Sequence, residues 1–209
     1  MKPSRILMVG MWALAVACIG GYVAATTLTG DSEPDAPVVA PSDELPRLFE
    51  FADFDLVSHR DEPFSSENVK GKPWVGFIFL VNCPTGACPV MVGKMNDLQS
   101  AIPDEEVQFV SFSVDPDRDS AESMSQFVEA VTGDQPGDRW HLLTGGTREG
   151  MSEFARQNRL AVGDDWGHST QFLLIDADGV VRGVYGNSNP SAMTELAADA
   201  RRLVAAGGR

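Results

Sequence analysis

The feature that most constrains this chain is a junction. Residues Trp74 to Val81 read WVGFIFLV, and the stretch Cys83-Pro84-Thr85-Gly86-Ala87-Cys88-Pro89 follows almost at once. An uncharged, near-continuous apolar run of this length belongs to a strand buried on both faces. Pro89 suits the first turn of a helix, where its missing N–H is not needed. Met91, Met95, Leu98 and Ile102 then recur at spacings of four, three and four, which draws one apolar helical face. The two methionines are read as core on that face rather than as metal ligands. Two cysteines therefore sit where a buried strand hands over to a helix. Unpaired backbone N–H groups and the helix dipole favour a thiolate there. Two thiols on one tight loop can close as a disulfide or chelate a soft metal.

The rest of the chain alternates around this joint. Phe49 to Val57 reads as an opening strand or hairpin, and Val69 to Pro73 as a turn. Val107 to Val114 is the next strand. Asp119, with Glu122 three residues on, reads as a capping box for a helix through about Val131. Trp140 to Leu143 is a short strand and Arg148 to Asn158 a helix. Gln171 to Ile175 and Val180 to Tyr185 flank Asp176-Ala177-Asp178-Gly179, a hairpin signal. Ser191 to Ala205 closes the chain as a helix. Alternation of this kind predicts a layered α/β domain, a central mixed sheet flanked by helices. With a cysteine pair at the end of a central strand, that is the thioredoxin-like fold.

The N-terminus reads as an address. Lys2 and Arg5 precede an uncharged stretch from Ile6 to about Thr29, and Asp31, Glu33 and Asp35 follow. The stretch is long enough to cross a bilayer, and the charge asymmetry keeps the N-terminus cytoplasmic. Residues 1–29 are thus expected to be a transmembrane anchor. A cleaved signal peptide is the competing reading, and both export the domain. Cys18 is a residue of this span. Residues 30–47, rich in Pro, Asp, Glu and Ser, are expected to be a flexible linker, and 48–209 the folded domain. The expected location is the cell membrane, with the domain on the periplasmic or extracytoplasmic side. The formal net charge of -14 argues against a nucleic-acid partner, because phosphate binding needs a basic surface.

His168 lies in Trp166-Gly167-His168-Ser169-Thr170, just ahead of the hairpin. In a thioredoxin fold the loop entering this hairpin approaches the cysteine loop. Two thiolates and one imidazole suit Cu(I). Zn(II) would want a fourth ligand. His59 and His141 have no comparable setting and are read as surface or core. The run Asp115-Pro116-Asp117-Arg118-Asp119 is explained by helix capping and loop charge pairing.

These residues resemble the Sco/SenC family of copper chaperones, which assist assembly of the copper centre of cytochrome c oxidase. The resemblance runs from about Phe51 to the last helix. It is carried by Gly71-Lys72-Pro73, by Cys83-Pro84 through Cys88-Pro89, and by Ser113 through Ser120. Trp140 through Gly145, Gly167 through Thr170, and Leu174 through Gly179 complete it. It implies copper held by Cys83, Cys88 and His168. It implies too a partner in the copper subunit of cytochrome c oxidase or another exported copper protein. The family pattern places three residues between the cysteines. Here there are four, Pro84 to Ala87, and Gly86 is expected to absorb the extra one through a backbone conformation closed to other residues.

Two functions follow. One is a metallochaperone that holds Cu(I) or Cu(II) and delivers it to a membrane oxidase without catalytic turnover. The other is a thiol–disulfide oxidoreductase that reduces a partner's cysteines, with Cys83 attacking and Cys88 resolving. Against a general reductase, no Trp directly precedes Cys83, whereas thioredoxin-like reductases commonly carry one there. Leu80 stands where a thiol peroxidase needs Thr or Ser. A binding module without metal or redox function is the remaining alternative.

Overall fold

The structure, a computed structural model, describes residues 44–102, 106–160 and 170–209. The expected anchor, Cys18, most of the linker and His168 lie outside the described residues. Among the described residues no helix is long and apolar enough to cross a membrane.

The strands are β1 (Phe49–Glu50), β2 (Asp55–Ser58), β3 (Pro63–Ser65), β4 (Trp74–Phe79), β5 (Gln108–Ser113), β6 (Trp140–Thr144), β7 (Gln171–Ile175) and β8 (Val180–Gly186). The helices are α1 (Ala87–Ala101), α2 (Ala121–Thr132), α3 (Arg148–Gln157) and α4 (Ala192–Ala205). The strands form one mixed sheet in the order β1-β8-β7-β4-β5-β6-β2-β3. β4, β5 and β6 run parallel, joined through α1 and α2, and β7 lies antiparallel against β4. This is the thioredoxin-like arrangement.

The apolar run behaves as its composition requires. Every residue of β4 is buried. Gly76 is needed there because the Trp74 ring folds over it. A Cβ at that position would stand 2.7 Å from a ring carbon. Met91, Met95 and Leu98 are buried along α1, which packs beside α2 and α4. The predicted hairpin forms, with Gly179 at φ 83° and a bulge between Leu174 and Ile175.

Two local readings need correction. The opening segment is neither one strand nor one hairpin. Phe49 and Glu50 pair with β8 at one edge of the sheet, while Val57 and Ser58 pair with β6 near the other. Between them, Phe51 and Phe54 turn inward against Trp74 and Phe112, with Phe51 to Trp74 ring centroids 4.8 Å apart. Burying two phenyl rings outweighs continuing a ladder through that stretch. The capping residue of α2 is Ser120, not Asp119. The Ser120 hydroxyl accepts the Ser123 N–H at 3.2 Å, and the Asp119 side chain is left to face the interior.

The expected charge pairing of the Asp115–Asp119 loop is present. Arg148 pairs with Asp115 and, at 3.3 Å, with Asp117. A second ionic group lies across the sheet. Arg182, 2% exposed, donates to Asp176 at 2.9 Å and to the carbonyls of Leu45 and Pro46 at 3.2 and 3.1 Å. It ties the residues ahead of β1 to the hairpin.

Candidate metal and dithiol site

Cys83 and Cys88 stand at the C-terminal end of β4 and the first turn of α1, as the junction predicts. The loop between them is a turn. The Gly86 N–H donates to the Cys83 carbonyl at 3.3 Å. Gly86 itself has φ 70°, the left-handed region that a side chain resists. The fourth intervening residue is absorbed there. The Cys88 N–H then points at the Cys83 sulfur at 3.4 Å, and the Thr85 hydroxyl lies 3.3 Å from the same sulfur.

Both cysteines are thiols, and their environments differ. Cys83 is half-buried and Cys88 is 1% exposed. Burial pushes the Cys88 thiol up to about 12, helped by its hydrogen bond with Cys83 and only partly opposed by a backbone hydrogen bond from Leu80. Helix position alone would lower that value, so desolvation wins.

Around the pair the structure places a residue that the sequence reading assigned elsewhere. Asp119, 1% exposed, reaches back from the loop after β5. Its Oδ2 accepts the Val81 N–H at 3.1 Å and the Ser113 hydroxyl at 2.7 Å. Its Oδ1 is buried without a hydrogen bond. Burial raises the Asp119 pKa, outweighing the Ser113 and Val81 hydrogen bonds that lower it. The available signal was the adjacency of Asp119 and Ser120, two side chains that can each cap and of which one suffices.

The other candidates separate. Met91 and Met95 belong to the core. His59 accepts the Leu142 N–H through Nδ1 at 3.2 Å, and the His141 ring packs on Phe64 at 4.5 Å. Burial lowers both imidazoles to about 4, and the Arg60 charge adds to the effect. Neither is placed with the cysteines. Among the described residues no group of three or more His, Cys, Asp or Glu is arranged to hold a metal. A cavity of about 130 Å³, lined by Phe51, Lys70, Trp74 and the Asp176–Gly179 turn, lies at the start of β4, away from the cysteines.

The family model described as SCO1/SenC matches residues 44–205, which takes in the whole described fold up to the end of α4. The chain belongs to the SCO1/SenC family. A SCO1/SenC family lipoprotein from Bacillus anthracis has a similar structure at 34% identity and a TM-score of 0.66, covering 75% of this chain and 95% of that one. BsSco, described as a member of the Sco family of cytochrome c oxidase assembly proteins with a disulfide switch, follows at 30% identity and a TM-score of 0.65. It covers 75% of this chain and 94% of that one. ScoI from Bradyrhizobium japonicum, solved with copper bound, shares the fold at 22% identity and a TM-score of 0.59, covering 74% of this chain and 99% of that one.

Proposed function

We propose that this protein is a membrane-tethered copper carrier that helps assemble the copper centre of cytochrome c oxidase, with Cys83, Cys88 and His168 as ligands. The observation that carries the reading is the closed turn that aims the Cys88 N–H at the Cys83 sulfur. It supports two thiolates side by side, despite the longer loop. Family membership and the copper-bound ScoI structure name the metal. The donor set fits it, because Cu(I) is soft and accepts few ligands. His168 lies three residues ahead of Gln171, which opens β7 antiparallel to β4 and so toward the cysteine end of the sheet. Residues 1–29 supply the anchor, and the domain lies on the extracytoplasmic side. The lipoprotein relative supports attachment to a membrane by some route.

Copper is cargo here. The protein's own part is to keep one thiol reachable and the other shielded, so that a partner's ligands meet the metal at Cys83 first. Anaerobic titration of the exported domain with Cu(I), read by competition with a chelator, tests this. The expected result is about one copper per chain, lost in each of Cys83→Ser, Cys88→Ser and His168→Ala. Wild type binding no better than the variants would overturn the reading.

The reductase reading has its own support in the unequal exposure of the two thiols and in the disulfide switch described for BsSco. Cys83 would attack a partner disulfide and Cys88 would resolve the mixed disulfide. His168→Ala separates the two. A reductase keeps its activity in that variant, whereas a copper carrier loses its metal.

A further inference from the structure

We propose that Asp119 is the positioning residue of the Cys83–Cys88 pair. Two contacts carry this. The Asp119 carboxylate accepts the N–H of Val81, two residues ahead of Cys83, at 3.1 Å. It also accepts the Ser113 hydroxyl at the end of β5 at 2.7 Å. One buried oxygen thereby bridges the ends of two parallel strands, at the point where β4 turns into the cysteine loop. Val81 lies beyond the last ladder residue, Phe79, so this bond takes over where the sheet stops. The Asp119 N–H is itself fixed to the Asp115 carbonyl at 2.9 Å, and Asp115 is held by Arg148. The carboxylate is therefore presented from a rigid loop. Its charge also reaches the Cys88 thiol, as the weakest of the effects that raise it.

The role is independent of capping, since Ser120 already caps α2. It is also not required for burial, since an apolar residue would fill the site without leaving Oδ1 unpartnered. A buried carboxylate with one unbonded oxygen is unfavourable for stability alone. Its contacts point to the cysteine loop as the reason for its presence. By fixing Val81 it fixes the origin of the loop, and so the separation at which the two sulfurs meet. Closing a disulfide depends steeply on that separation.

The inference rests on Cys83 and Cys88 being the working pair. The test is the equilibrium of the exported domain with a dithiothreitol buffer. The Cys83–Cys88 disulfide takes two electrons and two protons from the dithiol, giving two protein thiols and the cyclic disulfide of the reagent. Asp119→Ala frees the Val81 N–H. Asp119→Glu keeps the charge but displaces the carboxylate by one methylene. Asp119→Asn keeps an oxygen acceptor in place and removes the charge. Positioning predicts that Ala and Glu each shift the equilibrium about tenfold toward the dithiol, the scale of one lost hydrogen bond, and that Asn, which keeps the acceptor, stays within about twofold of wild type. Leu196→Ala in α4, a core truncation away from the site, lowers thermal stability without moving the equilibrium. If Asp119→Ala fails to fold, the contrast of Glu with Asn carries the test. The proposal is overturned if Asn shifts as far as Glu, if neither shifts, or if Leu196→Ala shifts it equally. Wild type that forms no intramolecular disulfide at all would instead refute the dithiol reading of the pair.

Discussion

The unequal thiols make a prediction that can be worked through. In a Cys83→Ser variant, Cys88 is the remaining thiol of residues 44–209. Burial, the largest cause of its shift, is unaffected by that change, whereas the hydrogen bond and charge interaction that Cys83 supplies are lost, so the rates that follow mark the upper end of the acidity effect. At about pH 7.5, a thiol whose pKa is about 12 is deprotonated to a few parts in ~10⁵, against roughly a tenth for an ordinary thiol near 8.5. That is about a 3,000-fold deficit of thiolate. A more basic thiolate is the better nucleophile, with a Brønsted slope of about 0.4–0.5, which returns roughly 40-fold over this span. The net expectation is about a hundredfold slower alkylation by iodoacetamide in the folded variant than in the same chain unfolded in urea. Steric shielding of a group that is 1% exposed can only add to this. The pH profile carries the sign. A raised pKa leaves Cys88 protonated across the physiological range, so its rate should climb about tenfold per pH unit past pH 9, where the unfolded chain levels off. Mass spectrometry of the alkylated peptide reads both. A folded rate within tenfold of the unfolded one, or a plateau near pH 9, would refute the argument that desolvation governs this thiol.

Two further outcomes follow from buried ionisable groups. His59 and His141 are held near a pKa of about 4 against 6.5, so the unfolded chain binds their protons first as the solution is acidified. Their contribution to stability is present above about pH 6.5 and is lost as pH falls toward about 4. Each is worth about 1–2 kcal/mol once its partial exposure is discounted. Urea unfolding at neutral and acid pH should show that slope flattened by His59→Asn with His141→Phe, and an unchanged slope would contradict it. Arg182→Met leaves the Asp176 carboxylate buried and short of a partner, with Arg47 3.7 Å away as partial relief. The expected loss is about 3 kcal/mol by the same measurement, the lower end of the range for a broken buried pair, and a loss under about 1 kcal/mol would count against it.

The elements whose pattern is local were readable from the residues. The β4 run is apolar because both faces are covered, and the α1 methionines recur at helical spacing because one face is buried. The hairpin turn is written in Asp176 and Gly179. Asp176 Oδ1 accepts the Asp178 and Val180 N–H groups, and Gly179 takes the positive φ. What escaped was decided at a distance. Arg182 lies in a strand whose local pattern does not announce its partners, which include carbonyls 136 and 137 positions earlier in the chain. Asp119 and Ser120 are both competent caps, and only the nearby Val81 N–H, 38 residues back, decides which of them turns inward. The division of the opening segment between two sheet edges depends on where Phe51 and Phe54 find Trp74. In the site itself, the strand-to-helix setting of Cys83 and Cys88 was legible. The inversion of the Cys88 acidity was not, because helix position and burial push in opposite directions.

The sheet ends in stubs. β1 has two residues and β3 has three, the latter beginning with Pro63. A long strand margin exposes rows of unmatched amides and carbonyls onto which another molecule can zip. Margins this short offer little purchase for such growth, and a proline contributes no amide at all. Two copies brought together by crowding therefore find few backbone groups to share, and chance encounters do not propagate into an extended sheet.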